Sequence, residues 1–173
     1  MVFGETFILW AKELIINFSY LAVFALSIIG TSTIFIPFPI YFIIFFAAGL
    51  GLNPLAVGIV AGLGSAVGEL TGYLIGMGGR YMVEEKKRKP HKIVNFFTKY
   101  FKKFGFAVIA LTSFLPFPFD FIGILSGVSN YDIKKFYVAV AIGKIAKCVL
   151  IAYAGYVGVP FIEQFIEWLK TVI

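Results

Sequence analysis

The sequence predicts an all-α membrane protein: an inverted repeat of a re-entrant helical hairpin plus a transmembrane helix, with an interfacial amphipathic helix. Three observations predict it. Of 173 residues, 60% are hydrophobic and 18% aromatic, and the mean hydropathy of +0.94 lies far from that of soluble domains. Two apolar segments, FIPFPIYFIIFFAAG at 35–49 and FLPFPFDFIGILSG at 114–127, each carry a Pro-Phe-Pro break near the start. Finally, eleven of the fifteen Lys and Arg residues fall between Arg80 and Lys135.

One crossing of a hydrocarbon core takes about 20 apolar residues, so the chain has room for one integral membrane domain. Its parts are a first repeat at 7–79, a basic linker and amphipathic helix at 80–105, a second repeat at 106–158 and a tail helix at 160–173. The N-terminal run carries Glu5 and Glu13 and no basic leader, which predicts a retained segment rather than a cleaved signal peptide. Further apolar runs cover 34–52, 55–79, 106–127 and 136–158. The positive-inside rule places 80–135 on the cytoplasmic side of a multi-pass cell-membrane protein and leaves Glu163 and Glu167 outside.

Within the basic region, Lys92, Asn95, Lys99 and Lys102 share one helical stripe, with Lys103 beside it and Ile93, Phe96, Phe97, Tyr100, Phe101 and Phe104 opposite. Such a helix lies on the membrane, its lysines at the lipid phosphates and Gly105 as its C-cap. The alternative is a cytoplasmic amphipathic helix packed on the bundle.

A shift of 79 residues superposes the two proline segments. Phe35 falls on Phe114, Pro37 on Pro116, Pro39 on Pro118, Gly64 on Gly143 and Gly76 on Gly155. If 106–127 crossed fully, Lys134 and Lys135 would face away from the basic block. If it enters and returns, all eleven basic residues share one side. Each repeat then crosses once, so the second copy is inverted. Proline lacks the N–H and clashes with the preceding turn, so Pro-x-Pro, with Ser113 just ahead of the second copy, opens carbonyls where a hairpin enters. The alternative is a kinked spanning helix.

Charges inside apolar helices are expensive and mark function or pairing. Four qualify: Glu69, Asp120, Lys144 and Lys147. They form a candidate substrate or proton pathway in which the lysines attract a lipid phosphate and the acids hold them when it is empty. Equally open is a set of structural ion pairs. Gly64, Gly68, Gly72 and Gly76 recur every four residues, and with Gly143 and Gly155 they suit close helix packing rather than phosphate cradling. His91 and Cys148 are single and suggest no metal site, and no catalytic constellation or cofactor motif is present, so an enzyme is not expected. Membrane lipids, and further copies of the chain, are the expected partners; nucleic acid is not.

GELTGYLIG at 68–76 resembles the Gly-acid-x-x-Gly-Tyr-x-x-Gly signature of the DedA family, also called the SNARE-associated or VTT-domain family. The segment LTSFLPFPFDFIGILSGVSNYDIKKFYVAVAIGK resembles that family's second re-entrant motif and the helix after it. The resemblance spans residues 30–158 and implies paired re-entrant hairpins that move lipid across the bilayer, a polyprenyl-phosphate carrier or a phospholipid. Where bacterial relatives have arginines, this chain has Ser113 and Phe119, and residues 31–50 lack the acid of their first hairpin. The resemblance therefore does not carry proton coupling over to this chain. An ion- or proton-coupled small-solute transporter and a purely structural membrane protein are the alternative classes.

Overall fold

The computed structural model describes residues 20–32, 40–85, 104–115 and 120–172. Every regular element among them is an α-helix: α1 (Tyr20–Ser32), α2 (Ile40–Gly49), α3 (Pro54–Gly68), α4 (Leu70–Glu85), α5 (Phe104–Phe114), α6 (Asp120–Val128) and α7 (Ile133–Val172). Pro37, Pro39, Pro116 and Pro118, and the lysines of the predicted amphipathic helix, Lys92, Lys99, Lys102 and Lys103, lie outside the described residues.

Pro54–Tyr81 and Ile133–Ile162 are long and apolar enough to cross a membrane. By contrast α2, with 10 residues, rises about 15 Å, roughly half of a hydrocarbon core. Helix α6, with 9 residues, is of similar length.

Two turns fix how short helices lead into long ones. After α2 the chain passes through Gly51 at φ 107°, and Asn53 then caps α3 by accepting from the Leu55 and Ala56 N–H groups at 3.0 and 3.1 Å. Pro54 follows at the first helical position, where its missing N–H costs nothing. After α6 the chain turns through Asn130 at φ 51°, and Asp132 caps α7 by accepting from the Lys135 N–H at 2.8 Å. Gly51 and Asn130, Asn53 and Asp132, and Pro54 and Ile133 are each 79 residues apart.

The long helices pack antiparallel. A methyl group at Gly58 or Gly62 would come within 2.5 Å of the α7 backbone at Val149 or Ile145. The short helices do not pack chiefly on the helix their turn leads to: α2 lies mainly on α7, and α6 lies on α4. Gly155 meets the Phe45 carbonyl of α2, and Gly76 meets the Ile124 carbonyl of α6. Two apolar clusters result. One gathers Tyr73, Ile109, Ile122, Phe136 and Val140; the other gathers Val23, Ile44, Ala48, Val57 and Ala152. Phe42, Phe121, Leu150 and Val157 point outward, as lipid-facing side chains do.

Three features differ from the sequence expectation. The predicted helix 55–79 is interrupted at Glu69. Thr31 donates to the Ser65 carbonyl at 3.1 Å and Thr71 to the Gly68 carbonyl at 2.8 Å, and the Tyr73 N–H reaches the Glu69 carbonyl only at 3.4 Å. The Ser65 carbonyl still accepts from the Glu69 N–H at 3.0 Å, so the interruption is a local loosening within one membrane-length span. Second, α7 runs through Pro160 into the predicted tail helix. Pro160 is exposed, so its ring displaces no packed neighbour. Third, Gly105 is buried within α5 rather than ending a helix.

Candidate functional site

The interruption at Glu69 falls near the middle of Pro54–Tyr81, and Lys144 falls well inside Ile133–Ile162. Antiparallel packing brings the two side chains together. Lys144 Nζ donates to Glu69 Oε1 at 2.6 Å, with the residues only 3% and 5% exposed. A lone charge at that depth is costly, and pairing offsets much of the cost.

One turn along α7, half-buried Lys147 has different company. Its ammonium donates to the Leu115 carbonyl at 2.7 Å and lies 5.6 Å from the centroid of the Tyr41 ring. Leu115 immediately precedes Pro116, and Tyr41 follows Pro39 by two residues. Lys147 thus touches the chain beside both Pro-Phe-Pro breaks. Among the described side chains, no carboxylate pairs with it.

Near the ion pair, the Tyr41 side chain packs against the apolar cluster that includes Cys148. The Cys148 thiol is buried and free, and the Ser65 hydroxyl near it is buried without a full hydrogen bond of its own. Among the described residues, no cluster of three or more His, Cys, Asp or Glu forms that could hold a metal ion.

Of the four predicted membrane charges, the fold brings Glu69, Lys144 and Lys147 into one neighbourhood. Asp120 begins α6, and its side chain lies outside the description. The glycines divide by partner rather than forming one stripe. Gly64 and Gly68 receive α1 at Phe24 and Ile28, Gly72 and Gly76 receive α6, and Gly143 receives α5 at Ala110 and Ser113. Ser113 is buried and donates to the Ala110 carbonyl at 2.9 Å.

Tyr41 is uncharged and so does not stand out in an apolar run. One signal could have found it: the 79-residue shift places it on Asp120. The Leu115 carbonyl, a backbone group, left no signal in residue type.

No curated protein and no solved structure matches the chain. The VTT domain family model matches residues 36–157, a range that holds both proline segments, the glycine helix and all four membrane charges. With two membrane-length helices and an outward apolar surface, the chain is a membrane protein of the VTT-domain family, the DedA/SNARE-associated family.

Proposed function

We propose that this protein translocates a phosphate-bearing lipid, a polyprenyl-phosphate carrier or a phospholipid, across the cell membrane, acting as a flippase or scramblase and not as an enzyme. One observation carries the reading: at mid-span, beside the chain flanking both proline breaks, a buried ion pair is accompanied by a second lysine. An ammonium held, among the described residues, only by a carbonyl and an aromatic face, at the ends of short helices, suits an anionic headgroup, and the lipid-facing surface suits its tails.

In this reading the two short-helix, turn, long-helix units are an inverted repeat, with α2 and α6 the inner arms of re-entrant hairpins. The antiparallel α3 and α7 and the matched turns at Gly51 and Asn130 support it. Residues 80–135 face the cytoplasm, and lipids of that leaflet meet the lysines of the amphipathic segment.

The test is reconstitution into liposomes carrying labelled polyprenyl phosphate or labelled phospholipid. Protein-dependent exchange of label between leaflets is expected for at least one; folded protein that moves neither overturns the reading. A structural role has its own support at one point, because the Lys144 to Glu69 contact of 2.6 Å between two buried groups suits a fixed pair.

A further inference from the structure

The two membrane lysines are not equivalent, and their difference assigns separate tasks. Lys144 has its counter-charge in place at 2.6 Å, shielded on all sides. Lys147, half-buried, has among the described side chains only a neutral carbonyl and the face of a phenol. An ammonium carries three N–H donors, and the Leu115 carbonyl takes one of them. A cation held at membrane depth by neutral partners is only partly compensated. An oxyanion in place of the neutral carbonyl adds the direct attraction of opposite charges to the hydrogen bond.

We propose that Lys147 is the phosphate-contacting residue of this protein, parked on the Leu115 carbonyl and the Tyr41 ring when empty, while Lys144 stays with Glu69 and positions the helix that carries it. This rests on the lipid-transport reading above. The ligand class is a phosphate monoester or diester oxyanion. Its arrival exchanges a neutral acceptor for a charged one and frees the Leu115 carbonyl next to Pro116. Removing Lys144 from Glu69 to bind the same anion would strand a buried carboxylate, which makes Lys144 the wrong ligand. Placement agrees with this division. Lys147 contacts α5 at its end and α2 at its start, where the chain adjoins the two proline breaks.

The experiment uses the full chain in detergent micelles with phosphatidic acid as probe, diacylglycerol as its phosphate-free control and inorganic phosphate as competitor. Reductive methylation followed by mass spectrometry reads the accessibility of Lys147 in the unaltered protein. Phosphatidic acid is expected to protect Lys147 severalfold, with diacylglycerol giving no protection. Binding of fluorescent phosphatidic acid is expected to weaken about tenfold or more in Lys147→Gln, corresponding to a loss of about 1.4 kcal/mol or more. It is expected to persist in Lys147→Arg, which keeps the charge.

If the unaltered protein binds phosphatidic acid no better than diacylglycerol, the lipid-phosphate reading itself falls. If it binds but Lys147 stays unprotected, or Lys147→Gln binds equally well, the assignment of Lys147 falls and the transport reading stands. Inorganic phosphate that displaces the lipid at millimolar concentration identifies the free oxyanion as sufficient. Lack of displacement identifies the headgroup together with its tails as the ligand.

Discussion

Glu69 and Lys144 meet where the junction of α3 and α4 packs on α7, and Ser65 and Cys148 lie near each other one turn away on the same helices. The 79-residue shift carries Ser65 onto Lys144 and Glu69 onto Cys148, so the two pairs correspond to one another in the sequence. One place holds a salt bridge at 2.6 Å, and the other holds a buried hydroxyl and thiol. The difference teaches that α3 can pack on α7 without charge, because at the Ser65 and Cys148 place it does.

Breaking the charged pair is expected to have the largest effect. Glu69→Leu or Lys144→Met alone leaves a buried charge without its partner and should cost about 3–5 kcal/mol of stability, read by denaturant unfolding in detergent. The double variant should recover most of that loss, since an apolar pair of similar volume is often neutral there. A double variant as unstable as either single one would mean that the pair, unlike its uncharged counterpart, is needed for packing.

The same comparison, made along one helix, predicts a smaller effect. Gly76 faces the Ile124 carbonyl, whereas Gly78, two residues on, faces open space. Gly76→Ala should cost about 1–3 kcal/mol by forcing α6 away from α4. Gly78→Ala should leave stability unchanged or raise it by about 0.5–1 kcal/mol, since alanine loses less backbone entropy in a helix. Unfolding of the two variants side by side checks this, and equal losses would remove the argument from close approach.

The sequence made the architecture legible where periodic constraints act. Gly64, Gly76, Gly143 and Gly155 were visible as a 79-residue echo because close backbone contact tolerates little except glycine. The three described charges of the site were visible because a charge in an apolar run stands out. What stayed illegible depends on direction and on backbone. One helical stripe of glycines cannot reveal that Gly58 and Gly62 face α7 while Gly64 and Gly68 face α1. Nor can residue type reveal that Glu69 sits at an interruption between α3 and α4. Lys144 and Lys147 are alike in sequence, and only the neighbours separate them.

The smallest expected effects concern the two turns, and they ask how alike the units are. Asn53 takes two N–H groups at the start of α3, and Asp132 takes one at the start of α7. Asn53→Ala and Asp132→Ala should each cost about 1 kcal/mol, the usual worth of an N-cap. Asp132 also places a negative charge at the positive end of α7, an interaction worth about 0.3–1 kcal/mol that Asn53 does not provide. Asp132→Asn keeps the acceptor and removes only the charge, so its loss should stay within that smaller range and shrink as salt is added. Unfolding of Asp132→Asn at low and high ionic strength reads the difference directly. A loss as large as that of Asp132→Ala, unchanged by salt, would mean that the second turn is held by more than a cap, and that the two units differ in their connections as well as in their charge.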